Sequence, residues 1–433
     1  MNKQILRLAI PNVISNITVP LLGMVDMFIV GHLDSELYIG AIAIAAMIFN
    51  LIYWNFSFLR MGTSGFTAQA YGADNKQSIT DSLFRSLFIA FISALVIILI
   101  QNLILGLCFR LMSIDVSLQA YVSEYFHIYV WAAPAILGMY TFSGWFVGMQ
   151  DSKTPMYIAI VVNIVNIGSS LVLVFVLGMQ IKGVALGAVI AQYTGFAMAM
   201  VAAAGRHHFL RQYLNLNILK DIKAFIPFFK VNRDIFLRTL CLIAVTTFFT
   251  SQSEKMGNTI LAVNTLMLQL FMLFSYMMDG FAYAAEALSG RFIGGKNIGM
   301  MKILIKRLFI WGTAFALLFT VCYGLFINPI FHILTDKQNI VEASKPFQLW
   351  ALLIPIASFS AFLWDGIFVG ATATKYMRNS MFVSAACFFI VFYALYPLWD
   401  NNALWFAFII YLSMRGIMQT FLYPKVKKQI QAR

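Results

Sequence analysis

Charge is what this sequence has least of. Of its 433 residues 11% are Asp, Glu, Lys or Arg, and only 17 are acidic. A soluble domain carries about 25% charged residues, so a water-facing surface of ordinary size is excluded, and an extramembrane catalytic domain with it. The four cysteines, Cys108, Cys241, Cys322 and Cys387, stand singly in apolar runs. Neither CxxC nor paired spacing points to a disulfide framework or a zinc site, and they read as core residues. The five histidines are scattered apart from His207 and His208, a pair that reads as solvated loop. HExxH, GxSxG and P-loop patterns are missing, so enzyme chemistry has no starting point and the chain is not expected to be an enzyme.

Apolar residues make up 61% of the chain, or about 264 of 433. At roughly 20 to 25 residues per helical crossing of a bilayer, that suffices for about eleven to thirteen crossings. Twelve apolar runs occur, at roughly 7 to 31, 38 to 70, 82 to 107, 118 to 148, 155 to 178, 183 to 204, 234 to 254, 257 to 290, 300 to 327, 346 to 371, 378 to 397 and 402 to 423. The expected fold is therefore an all-α membrane protein with twelve transmembrane helices. The first run follows a basic start in the order of a signal peptide, but it continues through Val30 with no small-residue cleavage site, so an uncleaved first helix is expected.

An even number of crossings puts both termini on one side. Twenty-three basic loop residues, Arg238 and Arg378 counted among them, fall on that side, against Arg110, Lys182, Lys255 and Lys337 on the other. Short cytoplasmic loops retain Lys and Arg, which places both termini of a multi-pass protein in the cytoplasm. The same bias accounts for most of the net charge of +13. Nucleic acid is not an expected partner, because a basic nucleic-acid binder is polar and carries its charge in contiguous patches.

The longest polar interruption divides an N-terminal lobe, 1–204, from a C-terminal lobe, 233–433, through a cytoplasmic linker, 205–232. In the linker Lys220 and Lys223 alternate with Leu214, Leu216, Ile218, Ile222 and Phe225, a pattern that fits an interfacial helix or a plain tether. The halves repeat. Gly72 and Asn75 of YGADN align with Gly294 and Asn297 of IGGKN, and Phe146, Val147, Gly148 and Lys153 align with Phe368, Val369, Gly370 and Lys375. Both stretches share an offset of 222 residues. Six helices per copy give both copies the same orientation, a transporter architecture of two pseudo-symmetric lobes around a cleft.

A charge at mid-bilayer costs at least ~2.5–3.5 kcal/mol on insertion scales, so every intramembrane ionisable group needs a reason. Those left after removing loops are Asp26, Asp279, Glu286 and Asp365, with Arg60 and Arg415. Asp26 lies among Leu21, Leu22, Met24, Val25, Met27 and Phe28, on a run that also contains Pro11 and Pro20. Burial disfavours the charged form of a carboxylate, which lets it exchange a proton, and proline permits a bend. A tertiary ion pair or a structural hydrogen bond is the alternative for Asp26. Asp365 and Arg415 are expected to pair within the second lobe. By the offset, Asp26 maps to Phe248, Asp365 to Ser143 and Glu286 to Ser64, so the lobes share a scaffold but not their charges. Abundant Met and Phe, 23 and 41 residues, pack helices and face lipid; those lining a cleft suit apolar organic cations.

The stretches PLLGMVDMFIVGHLDSELYIGA, LRMGTSGFTAQAYGADN, DGFAYAAEALSGRFIGGKN and DGIFVGATATKYMRNSM resemble the multidrug and toxic compound extrusion (MATE) family of the MOP superfamily, in its DinF-like branch. The resemblance extends over the whole chain. It implies an antiporter that exports cationic or amphipathic organic compounds by alternating access, driven by inward H⁺ or Na⁺. It also implies that Asp26 is the coupling residue and that a bend at Pro11 accompanies its protonation. Family members often add an Asn and an Asp four residues apart and a Thr in the sixth helix. Here Asn166 is present, Ser170 replaces the acid and Ala188 replaces the Thr. Losing one acid and one hydroxyl weakens a sodium site more than a single-carboxylate proton site, so H⁺ is the favoured ion. A monomer with no cofactor is expected. The competing readings are a Na⁺-coupled antiporter, a flippase for a lipid-linked precursor, and a channel or intramembrane enzyme.

Overall fold

The computed structural model describes residues 1–31, 36–112, 114–213 and 221–431; within these, the side chains of 19–28, 30, 31, 36, 222 and 224 lie outside the description. Sixteen α-helices and no strand occur among the described residues. The first ten are α1 (Asn2–Gly31), α2 (Glu36–Asn55), α3 (Phe58–Gly72), α4 (Lys76–Leu99), α5 (Gln101–Leu111), α6 (Val116–Tyr129), α7 (Ala133–Gly148), α8 (Lys153–Leu171), α9 (Gln180–Arg206) and the short α10 (Phe209–Gln212). The rest are α11 (Ile222–Lys255), α12 (Asn258–Gly294), α13 (Ile298–Leu334), α14 (Gln338–Ser344), α15 (Gln348–Gly370) and α16 (Thr374–Gln431).

Among the described residues ten helical stretches are long and apolar enough to cross a membrane, with α2 and α3 forming one stretch and α6 and α7 another. The 58-residue α16 hides two crossings, because Asp400 leaves helical geometry at φ 44° and ψ −120°. With that division and the 30-residue α1, the chain has the twelve crossings of the apolar pattern. α11 begins at Ile222, inside the stretch read as linker, and its Phe225 and Phe228 are buried. The linker's Leu214, Leu216, Ile218 and Lys220 lie outside the described residues.

The chain forms two compact units, one of residues 14–229 and one of residues 1–13 with 230–433. The 222-residue repeat is written into the backbone of each. Asp74 and Lys296 both take a left-handed conformation, φ 52° and 53°, as do Gln150 and Thr372, at 64° and 50°. One residue after the first pair, Asn75 and Asn297 each accept a hydrogen bond from the backbone N–H three residues on, at 2.9 Å and 3.0 Å. These are N-caps of α4 and α13, and they satisfy amides a helix start otherwise leaves without a partner.

Packing repeats as well. Helices in lipid gain little from hydrophobicity against one another and rely on small residues for close backbone approach. Gly144 and Gly148 of α7 meet α3 so closely that a Cβ on Gly144 would overlap the Arg60 carbonyl oxygen, and one on Gly148 would lie 2.9 Å from that of Ser64. Gly366 and Gly370 of α15 meet α12 in the same register, on the carbonyls of Ala282 and Glu286. All four pairs of equivalents differ by 222.

Each unit adds its own fastenings. In residues 14–229, Phe49 of α2 stacks on Phe126 of α6 (centroids 4.8 Å) and meets Tyr129 edge-on (4.7 Å). In the other unit, Asn264 of α12 and Asn401 exchange side-chain amide bonds of 2.7 Å and 3.0 Å, beside the break at Asp400. Ser253 and the Trp405 indole N–H complete this buried network on Asn264, at 2.7 Å and 2.8 Å.

Candidate functional site

In the 14–229 unit the residues of interest lie on α1, α8 and α9. α8 turns Asn166 and Ser170, one helical turn apart, into the interior, where both are buried. The Ser170 hydroxyl donates to Asn166 Oδ1 at 3.1 Å. Gly187 of α9 makes this possible, because a Cβ there would stand 2.9 Å from Ser170 N. The adjacent Ser169 hydroxyl donates to the Gly187 carbonyl at 3.1 Å. Ala188, also buried, offers no hydroxyl. α1 reaches the same helix: Asn163 Nδ2 donates to the Thr18 carbonyl at 3.1 Å. Asp26 and Pro20 belong to the α1 backbone, and their side chains lie outside the described residues. Pro11 is buried, and α1 runs as one helix through both prolines. Among the described residues of 14–229 no carboxylate is buried.

The other unit holds a charged knot that the sequence showed only in part. Asp365 and Arg415 meet at 2.9 Å. Arg238 of α11 binds the same carboxylate oxygen, and the Gln419 amide donates to the other. Arg238 thus departs from its expected place among the loop cations. It stands inside α11, four residues into the apolar run that starts at 234, which is the signal that would have found it. Arg415 lies over the rings of Phe362 and Tyr411, at 5.8 Å and 5.7 Å, and Asp279 of α12 stands near enough for its charge to act on Arg415. Glu286 is buried on α12, one turn from Gly290 and facing α15 through its carbonyl at Gly370.

Arg378, likewise counted with the loops, donates to Asp234 at 2.6 Å, and Thr374 joins at 3.4 Å. This second pair ties α11 to the start of α16. Near one edge of the 14–229 unit, Glu124 pairs with Lys182 at 2.9 Å and His127 meets Asn102 at 2.8 Å. Past α9, His207 packs edge-on against Trp145 at 5.0 Å. Burial lowers the His207 pKa from its usual value; Asp151 opposes the shift and Arg206 adds to it. No group of three or more metal-ligating side chains occurs among the described residues.

The model of the MatE family matches the chain twice, over residues 11–172 and again over 235–396. The chain belongs to the MatE family. The two matches are the two halves of the repeat read from the sequence. A relative over nearly its full length is the DNA damage-inducible protein F of Escherichia coli (strain K12), 34% identical, with 96% of this chain and 90% of that protein covered. The probable multidrug resistance protein NorM of Thermotoga maritima is 22% identical over 80% of this chain and 75% of its own. A variant of the Vibrio cholerae MATE transporter VcmN superposes with a TM-score of 0.85 at 16% identity, covering 100% of this chain and 97% of its own. A MATE protein in a bent conformation gives 0.83 at 19% identity, over 100% and 96%. The MATE fold of two six-helix lobes is therefore that of this chain, and a MATE chain is a membrane transporter.

Proposed function

We propose that this MATE transporter exports cationic or amphipathic organic compounds across the bacterial inner membrane, in exchange for inward H⁺ carried by Asp26. The chain's termini lie in the cytoplasm, and it works as a monomer without a cofactor. The observation that carries the choice of ion is the Ser170–Asn166 pair. At the position where a second acid would complete a sodium site, Ser170 spends its hydroxyl on its neighbour. With no buried carboxylate among the described residues of the unit, Asp26 is the acid that the sequence offers within the first span. A single carboxylate stores a proton; a sodium ion wants several oxygen ligands and compensating charge. Asp365 is a poorer carrier, because two arginines and an amide already occupy its oxygens.

An inward proton gains about 2.3 kcal/mol per 100 mV, enough to drive a moderate gradient of an organic cation. The test is efflux of tetraphenylphosphonium from proteoliposomes with H⁺ and Na⁺ gradients imposed separately. Drive by H⁺ alone, lost in Asp26→Asn, is the expected result. Efflux driven equally well by Na⁺, or intact in Asp26→Asn, rules the reading out.

A further inference from the structure

Two spanning stretches of the 14–229 unit are interrupted midway. Between α2 and α3 the Phe56 and Ser57 amides reach back only three residues, to the carbonyls of Tyr53 (2.9 Å) and Trp54 (3.1 Å), and the Asn55 side chain donates to the Leu51 carbonyl at 2.6 Å. A side chain that bonds the backbone four residues back competes with the helical ladder. Between α6 and α7 the chain passes through a 3₁₀ turn, Val130–Ala132. Pro134 causes it, having no N–H for the Val130 carbonyl; that oxygen takes the Ala133 N–H instead. The rings of Tyr53 and Tyr129, each beside one interruption, stand edge-on with centroids 6.5 Å apart, so the two joints adjoin. The 222-residue offset carries the joints to 277–279 and 352–354, which lie inside the unbroken α12 and α15. The joints are therefore not part of the scaffold that the halves share.

The helices on either side of the joints are held differently. α3 and α7 meet backbone to backbone at Gly144 and Gly148, where a single methyl has no room. α2 and α6 meet through rings, Phe49 on Phe126 and Tyr129, and Tyr38 edge-on to Tyr121 at 5.1 Å. Side-chain bonds fasten this second pair to α9 and α5: the Tyr38 hydroxyl donates to Gln180 Oε1 at 2.7 Å, Glu124 pairs with Lys182 at 2.9 Å, and His127 meets Asn102 at 2.8 Å. Partly exposed bonds of this kind are weak and open locally. α9 itself is unbroken, and its later turns pack on α7, with Phe196 against Gly138. At the joint the Tyr53 hydroxyl is buried without a partner among the described residues, a cost that admitting water would remove.

We propose that α2 and α6 form a flap that swings as one body, about joints at 55–57 and 130–132, on the fixed pair α3 and α7. Glu124–Lys182 and Tyr38–Gln180 are its latch to α9. The swing opens this unit at its α2 and α6 end, which with cytoplasmic termini, as proposed above, is the end where exported cargo leaves. The device belongs to one unit alone and is independent of which acid or ion drives transport.

The flap is long enough for its motion to be measured. α6 has 14 residues, about 21 Å of helix, so a swing of about 15° carries its first turn about 5 Å. Spin labels are placed on the full chain carrying Cys108→Ser, Cys241→Ser, Cys322→Ser and Cys387→Ser, in lipid nanodiscs. One pair spans the joints, Val116→Cys on α6 with Val201→Cys on the later turns of α9; the other lies within the flap, Met47→Cys on α2 with Val116→Cys. All three sites are exposed. Unlatching by Glu124→Gln with Tyr38→Phe is expected to move the first distance by about 5 Å and leave the second unchanged. Pro134→Ala gives the Val130 carbonyl back its N–H and is expected to narrow the first distribution and to slow tetraphenylphosphonium efflux about fivefold, with equilibrium binding within about twofold. A first distance that unlatching leaves unchanged overturns the flap, and so does a second distance that shifts as much as the first. The distance measurement needs no substrate and no ion gradient, so its failure is separate from any failure of the export reading. If Pro134→Ala is not monodisperse, the unlatched protein decides alone, because both of its substitutions remove a bond without adding volume.

Discussion

Removing the Asp365 carboxylate is the perturbation whose cost the geometry defines best. In Asp365→Asn the side chain keeps its shape, but Arg238 and Arg415 lose the oxygen they share, with Arg415 only 2% exposed. At about 4 Å between charge centres and an effective dielectric near 20, each attraction is worth about 4 kcal/mol, most of it offset by the desolvation of the ions. Measured losses on removing one partner of a buried pair run ~3–5 kcal/mol, because a charge is left uncompensated. With two arginines affected and Asp279 as the remaining nearby acid, the expected loss is in the upper part of that range, about 4–5 kcal/mol. Reversible unfolding by a denaturing detergent, followed by tryptophan fluorescence, reads it directly. The triple change Asp365→Leu, Arg238→Met, Arg415→Met removes every charge of the knot and is expected to stay within about 2 kcal/mol of wild type. A single variant as stable as wild type would show that the knot carries no stability, and would return Asp365 to the candidates for ion coupling.

The two glycine seats differ in room. A Cβ on Gly370 would overlap both Ser289 Oγ and the Glu286 carbonyl, whereas on Gly148 the nearest atom is Thr67 Cβ at 2.7 Å. Gly370→Ala is expected to cost about 3 kcal/mol and Gly148→Ala about 1–2 kcal/mol in the same unfolding assay. Asn264→Leu leaves the Asn401 amide and the Trp405 N–H without their partner, and a loss of about 1–3 kcal/mol per abandoned group is expected. His207 has a folded pKa below its unfolded value. Its contribution to stability is therefore complete above the unfolded value, near 6.5, and is lost as the pH falls through the folded pKa. Thermal stability scanned from pH 7.5 to 5 is expected to fall more steeply in wild type than in His207→Gln, and parallel profiles would contradict that.

The number of crossings and the repeat were legible because each follows from local composition or from comparing the chain with itself. Even the Asp365–Arg415 pair could be read, since an isolated arginine at that depth is too costly to leave alone. Arg238 went to the loop cations although it stands four residues inside the apolar run that starts at 234, because counting basic residues by side treats any charge near the end of a run as part of the loop. Gln419 was invisible for another reason: an uncharged amide in a spanning helix costs too little to draw attention. The Ser170–Asn166 bond needed α9 to press Gly187 against α8, a tertiary fact with no sequence period. The division of α1 at Val13 was hidden entirely, because a continuous apolar helix carries no mark of which neighbours its two ends choose.

The central claim is that one carboxylate on α1 carries the coupling proton, and proton counting tests it most directly. Proton flux per exported tetraphenylphosphonium, recorded with a pH-sensitive dye in sealed proteoliposomes without sodium, is expected to hold a fixed ratio in wild type and in Asp365→Asn. In Asp26→Asn the proton flux is expected to vanish. A fixed ratio that survives Asp26→Asn, or one that disappears in a folded Asp365→Asn, would contradict the account.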